Sequence, residues 1–306
     1  MMAVLTRVGM WWTSHLGTRW DLMAGTEGAV LPQGLKSVFL PKFTPRTHTS
    51  ARVPGVRFDG IDWDAGELGM TVTVGDTWVS RPDGRFRRGD EWLLLDRAFR
   101  DSFSPLYPGT LEVQALSQTR RFVGRLVELD LADTAAAMPD IAGKTTYSIT
   151  VASESPFYLG KPQVYDFGFV GAAAPENYYG PANAGPDFYI TGGNALGNVV
   201  LTNPGQVEEW PTWTVDGPGQ AVLGIGDHIT YTHGLAAGER LVIVTDPNGT
   251  TVEDGAGNRA WDRIAGLYDF APVAPGDNVL ATAQIVGGGP GANIRLELAT
   301  HFLSAY

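Results

Sequence analysis

The closing segment alternates Ile294, Leu296, Leu298, Thr300 and Phe302 with Arg295, Glu297, Ala299 and His301, a period of two that only an extended chain with one buried face satisfies. Short apolar runs bounded by Gly, Pro, Asn or Asp recur before it, over 199–202, 212–215, 221–225, 229–232, 241–245 and 279–286. Of the chain's 39 glycines, 23 lie after residue 160, and no helix of ordinary length fits between these runs. The pattern predicts an antiparallel sandwich or jelly roll rather than a parallel α/β sheet.

The first half is also mostly extended, with strands predicted over 70–74, 111–116, 122–131 and 145–151. One amphipathic helix interrupts them. Trp92, Leu95, Phe99 and Phe103 share a helical face, Asp90 is placed to cap its start, Asp96 and Arg100 are spaced as an i,i+4 pair, and Ser104-Pro105 stops it. A chain of 306 residues is long enough for two cores. Residues 1–160 carry 17 Lys+Arg against 18 Asp+Glu, whereas residues 161–306 carry 5 against 15, so nearly all of the net charge of -11 belongs to the second part. This shift coincides with Pro156 and Pro162, which sets the expected domains at 1–160 and 161–306. The stretch 172–198, with Tyr178 and Tyr179, reads as a long loop or short-strand connection.

Composition and spacing remove many functions. No cysteine is present, which excludes disulfides, thiol nucleophiles and cysteine-ligated metals. No apolar run reaches the roughly 18 residues of a membrane helix, and the start lacks the charged-then-apolar order of a secretory leader, so no membrane insertion is expected. The acidic second half repels phosphate, which argues against tight nucleic-acid binding. Arg81, Arg85, Arg87 and Arg88 lie in an Arg-Pro-Asp-Gly-Arg turn and read as a solvated loop. His228 and His233, five apart on an expected strand, point to opposite faces and cannot share a metal. The Gly255-Ala-Gly257 glycines lack the strand and helix of a dinucleotide fold. The loop from Asp246 has Thr251 and Gly257 where a calcium loop needs Gly and Glu, and its Pro-Asn-Gly reads as a hairpin turn. The carboxylate pairs Glu208-Glu209 and Asp62/Asp64 carry no spacing signature for glycoside hydrolysis. No catalytic residue, metal or cofactor is expected, and the chain is read as not an enzyme.

Nine tryptophans invite a sugar platform, with Trp210 and Trp213 as candidates. Spaced three apart around Pro211 on extended backbone they face opposite sides, which favours packing.

Several segments, taken in order, resemble one family. Trp12-Thr-Ser-His-Leu-Gly-Thr-Arg-Trp20-Asp-Leu, Gly28-Ala-Val-Leu, Gly34-Leu35 and Pro41, then the helix, Leu106-Tyr-Pro-Gly-Thr-Leu-Glu-Val and Arg120-Arg-Phe, are similar to the N-terminal part of minor tail proteins of long-tailed (siphovirus) actinobacteriophages. In the second half, Leu201-Thr-Asn203-Pro-Gly leading to Pro211 and Gly217, and Ala274-Pro275-Gly276-Asp-Asn278, resemble motifs of distal tail (Dit-like) proteins.

The resemblance implies an N-terminal β-sandwich or split-barrel domain and a C-terminal galectin-like or jelly-roll sandwich. It implies a virion structural protein at the distal end of the tail, made in the host cytoplasm. As partners it implies copies of itself in a homo-oligomeric ring, expected to be a hexamer, with the tail-tube protein on one side and the tail-tip or baseplate hub protein on the other. Asn203, Pro211, Gly217, Pro275, Gly276 and Asn278 would be structural residues of the motif. Acidic residues such as Asp62, Asp64 and Glu67 could then line a lumen through which DNA slides. The alternative is a carbohydrate-binding host-adhesion protein acting through Trp210 and Trp213.

Overall fold

The computed structural model describes residues 8–32, 35–36, 39–51, 54–132, 138–168, 198–276 and 278–306. The loop expected over 172–198 lies, up to residue 197, outside the described residues. Two compact units result: unit 1 is Met1–Gly160 with His301–Tyr306, and unit 2 is Lys161–Thr300.

Unit 1 holds strands β1 (Gly9–Thr13), β2 (Arg19–Asp21), β3 (Ala29–Val30), β4 (Phe43–His48), β5 (Arg57–Trp63), β6 (Gly66–Gly75), β7 (Gly109–Ala115), β8 (Gln118–Leu131), β9 (Lys144–Ser153) and β10 (Tyr158–Leu159), with helices α1 (Asp90–Arg100) and α2 (Pro139–Ala142). Its main sheet runs β2-β1-β7-β8-β9-β6-β3. A backbone bond of 2.7 Å from Leu31 N–H to the Leu22 carbonyl draws the two ends together, so the sheet comes close to closing on itself. Period-two burial along β6 and β9 turns Leu68, Met70, Val72, Val74, Tyr147, Ile149 and Val151 inward. Over this face lies α1, whose Trp92, Leu95 and Phe99 are buried. Phe103 is also buried, but the helix ends at Arg100, and Phe103 packs from the segment beyond it. Gly89, not Asp90, occupies the cap position. Its φ of 56° suits glycine, and Asp90 stands in the first turn, where a carboxylate favours the helix dipole.

The arginine turn departs from its expected solvated state. Asp76, whose side chain is fully buried, accepts from the Arg87 backbone N–H at 2.7 Å and pairs with the Arg87 guanidinium at 2.6 Å, with Arg81 at 3.7 Å. A buried carboxylate at the end of β6 needs such partners, and the turn supplies them.

Unit 2 continues with β11 (Gln163–Gly168), β12 (Asn198–Thr202), β13 (Thr212–Asp216), β14 (Gln220–Ile225), β15 (His228–Tyr231), β16 (Arg240–Val244), β17 (Thr251–Asp254), β18 (Asn278–Val286) and β19 (Asn293–Leu298). A sheet ordered β11-β19-β13-β16-β17 and one ordered β12-β18-β14-β15, antiparallel throughout, enclose a core of Trp213, Leu223, Leu241, Ile243, Ile285 and Leu296. This is the antiparallel sandwich that the short runs predicted.

One expectation fails at the end of the chain. Ile294 to Phe302 is not one strand: β19 stops at Leu298, and His301–Phe302 forms β20, which pairs with β10 of unit 1. The final six residues therefore belong to the first unit, not to the 161–306 domain, because Phe302 and Ala305 are buried in its core. Arg120 holds them, its guanidinium 3.9 Å from the Phe302 ring centre and 2.9 Å from the Ser304 carbonyl.

Burial by itself would raise the Asp76 pKa, but the hydrogen bonds and charge of Arg87, with the charge of Arg81, hold it below the usual 3.8. A depressed folded pKa means that the stabilisation is complete above the unfolded value and is lost as pH falls through the lower folded one. Asp76→Asn is expected to cost about 3 kcal/mol at neutral pH in urea denaturation, because it leaves Arg87 without its counter-charge. The difference from wild type should shrink on acidification below pH 3.8.

Candidate functional site

Two surfaces of unit 1 carry more apolar side chain than a free-standing surface needs. The first is the β4–β5 hairpin. Every residue of β4 is exposed, as are most of β5, and among the described residues this pair hydrogen-bonds to no other strand. A two-stranded ribbon is marginal in water without support. Its base supplies some: Phe43 packs on Trp63 and Trp63 on Phe157, with ring centres 5.8 and 5.4 Å apart. Cross-strand pairs Arg46–Asp62 (3.3 Å) and His48–Asp59 (2.5 Å) add to it, and Lys42 bonds Glu67 beside the base. A bulge between Arg46 and Thr47 and the proline at Pro45 suit an edge. Yet Val56 and Phe58 remain 65 % and 61 % exposed, with Ile61 and Phe43 also at the surface.

The second surface adjoins α1. Leu93 and Leu94 on its outer side, Leu131 at the end of β8, and Met138 and Ile141 around α2 are all exposed. Between these elements runs an open groove whose walls include Leu93, Leu129 and Leu131 with the carboxylates of Asp130 and Asp140. Its floor is polar: Asp96, nearly fully buried, accepts from the Tyr147 hydroxyl at 2.5 Å and from Arg100 at 2.9 Å. Burial, reinforced by the Asp96 charge, pushes the Tyr147 hydroxyl well above its usual pKa, so it stays a donor at every physiological pH. The i,i+4 pair read from sequence is thus one arm of a triad, centred on buried Asp96 with Arg100 reaching the surface, that fixes α1 to β9. Exposed apolar patches of this kind mark protein interfaces.

The two surfaces are complementary in type. Among the described residues, Arg57 at the start of β5 has no ionic partner, and neither have Asp130 and Asp140 in the groove. Sequence reading missed the hairpin, because its apolar residues follow no period of two and are interrupted by Pro45, Pro54, Gly55 and Gly60. That irregularity, in a segment still rich in Phe and Trp, was the signal available. Asp62 and Glu67, read as lumen carboxylates, are neutralised by Arg46 and Lys42.

In unit 2 the motif residues gather at two places. Asn203, fully buried, donates to the carbonyls of Val207 (2.7 Å) and Val273 (2.9 Å) and accepts from Gly205 N–H at 2.8 Å. Pro275 bridges to it, Gly276 at φ 76° donates to its carbonyl, and Asn278 accepts from Thr202. Residues some 70 positions apart are therefore one clamp closing the β12–β18 end. Pro211 and Gly217 flank β13: the Pro211 carbonyl accepts from buried Thr245 at 2.6 Å, and a Cβ at Gly217 would meet the Ala236 carbonyl oxygen at 2.2 Å. Trp213 is 2 % exposed in the core, which overturns its candidacy as a sugar platform, since a platform must offer a face to solvent. Trp210 is partly exposed and stands apart from that core. Among the described residues no three His, Asp or Glu side chains converge as metal ligands, and no helix is long and apolar enough to cross a membrane.

No family model and no curated protein sequence matches the chain. Solved structures do. The chain has the fold of a phage distal tail protein: it superposes on the Dit protein (gp 19.1) of phage SPP1 with a TM-score of 0.60 over 97 % of this chain and 100 % of that one, at 14 % identity. It is also similar to a chain of the phage P2 baseplate in its activated conformation with calcium, with a TM-score of 0.50, 12 % identity, and coverage of 96 % and 98 %.

Removing the clamp should be costly. Asn203→Ala removes the bonds to the Val207 and Val273 carbonyls and the acceptor of the Gly205 N–H, leaving the Val273 carbonyl only the Glu209 N–H at 3.1 Å, and is expected to lower the stability of unit 2 by about 2–3 kcal/mol, read as a fall in its melting temperature.

Proposed function

We propose that this chain is a structural protein of a phage virion, at the distal end of the tail, where copies form a ring between the tail tube and the tail-tip or baseplate hub. The observation that carries the reading is the end-to-end likeness to SPP1 Dit, which is described as a paradigm of the hub adsorption apparatus in phages infecting Gram-positive bacteria. Unit 1 gives it a physical basis. A projecting apolar hairpin on one part of a subunit and an apolar, acidic-lipped groove on another form a heterologous pair, and such pairs close into rings when the rotation allows. Six copies is the symmetry proposed, with long-tailed actinobacteriophages as the source.

The neighbours in this reading are the tail-tube protein above and the hub protein below. The chain works by shape and self-association and turns over no substrate. The acidic second half keeps the ring from gripping DNA. The adhesion reading through Trp210 and Trp213 is weakened by the burial of Trp213.

Phe58→Asp with Ile61→Asp should leave the melting temperature within a few degrees of wild type, because both side chains are exposed, while abolishing assembly. Native mass spectrometry across a concentration series reads the oligomer, and electron microscopy of labelled virions reads its place. Wild-type rings and label at the tail end are expected. A protein absent from purified virions, or one with a measured turnover, sinks the reading.

A further inference from the structure

Two buried donors of unit 1 have no hydrogen-bond partner among the described residues, and one short stretch of chain lies over both. They are Arg120 Nε on β8 and Tyr158 Oη on β10. The stretch is His301–Tyr306: Phe302 stands opposite Tyr158 in the β10–β20 ladder, and its ring lies under the Arg120 guanidinium at 3.9 Å. Tyr158 is 2 % exposed, so water does not reach its hydroxyl freely. A buried donor without an acceptor costs free energy that a fully matched cover would avoid.

The cover is mismatched in charge. Arg120 donates to the Ser304 carbonyl at 2.9 Å, to the Ser304 hydroxyl at 3.1 Å and to the Gln118 side-chain oxygen at 3.1 Å, all neutral acceptors. Its outward-facing neighbour Arg121, by contrast, bonds the Glu112 carboxylate at 3.0 Å. Burial pulls the Arg120 pKa below its usual value, with no neighbouring anion to oppose the shift. Burial likewise pushes the Tyr158 pKa up, which keeps its hydroxyl a donor. From His301 to Tyr306 the sequence is His-Phe-Leu-Ser-Ala-Tyr, without an acidic side chain to answer either group.

The attachment is also short. Its ladder with β10 pairs two residues on each strand, and its buried anchors are Phe302 and Ala305. At Tyr306 it has already reached the surface, where that ring meets exposed Phe39 edge-on at 5.5 Å.

We propose that His301–Tyr306 is a displaceable strap, and that the strip beneath it on β10 docks an extended acidic segment of another polypeptide, with an aromatic side chain at the Phe302 place and a carboxylate at the Ser304 place. Addition of a strand supplies the main-chain hydrogen bonds that β20 now makes, and the aromatic ring refills the apolar seat. The carboxylate adds what the strap lacks. It takes a guanidinium through two parallel bonds, Nε included, and keeps acceptor capacity for the Tyr158 hydroxyl. This docking does not rest on ring formation and would operate equally in a monomer.

The test uses the full chain and a fluorescein-labelled peptide of residues 300–306 carrying Ser304→Asp, with the unaltered peptide as its comparison. Fluorescence anisotropy is expected to give a Kd of about 1 mM or tighter for the acidic peptide, against the competing strap, and binding about fivefold weaker for the unaltered one. At saturation, hydrogen exchange at the amides of Phe302 to Ala305 should speed up about tenfold, since the strap has left, while the Leu159 amide keeps its protection. Arg120→Lys and Tyr158→Phe in the full chain should each weaken the acidic peptide about fivefold. Should Arg120→Lys prove unstable by melting temperature, Tyr158→Phe carries the same expectation, because it deletes only an oxygen that has no partner in the fold. No binding up to about 10 mM, equal binding of the two peptides, unchanged exchange of the strap, or undiminished binding by the Tyr158→Phe chain overturns the proposal. Loss of rings with peptide binding intact would instead count only against the assembly reading.

Discussion

Unit 1 depends on one helix being seated over an aromatic bed. Phe99, fully buried on α1, meets Trp20 edge-on at 5.3 Å, Phe103 at 5.2 Å and Tyr147 at 6.3 Å, and Phe103 stacks on Trp12 at 4.5 Å. Rings from β1, β2, α1 and β9 thus converge on a single point, and Asp96 locks the same helix to β9 through Tyr147. Aromatic contacts bury large areas with fixed geometry, so this cluster determines which side of α1 faces inward. The outer side, with Leu93 and Leu94, is left over by that choice and not by accident of composition.

Unit 2 uses a different economy of parts. Its core is mostly aliphatic, with Trp213 buried in it and Tyr165, Phe167 and Phe270 packed against it, and its specificity of closure comes from buried hydrogen bonds such as those of Asn203. A buried amide with every atom satisfied tolerates one arrangement of its loops, which suits a sandwich whose short strands have little register information of their own.

Much of this was legible from residue order. The strands of unit 2 follow directly from short apolar runs, and α1 from the spacing of Trp92, Leu95 and Phe99. What escaped did so for physical reasons. The alternation through Phe302 continues across a break at Ala299-Thr300, because period two records which face is buried and not which sheet does the burying. Trp213 and Trp261 look alike in composition, but one sits mid-strand facing the opposite sheet and the other on a one-turn helix at the surface. The β4–β5 ribbon has no core beneath it, so burial imposes no pattern on its sequence. Arg87 could not be told from Arg85 without seeing Asp76 emerge at the end of β6.

The chain leaves unit 1 after Gly160 and re-enters it at His301, where β20 lies antiparallel to β10 with Tyr158 opposite Phe302. At the crossing, Thr300 bonds the Lys161 carbonyl at 3.0 Å. Residues 161–300 are therefore a cassette spliced into a finished host fold, entering and leaving about one strand spacing apart. A protease that nicks the cassette once leaves both fragments stapled by the host sheet. By the same topology, evolution or an engineer can exchange the insert for any module whose two ends lie close together, without disturbing a side chain of the aromatic bed.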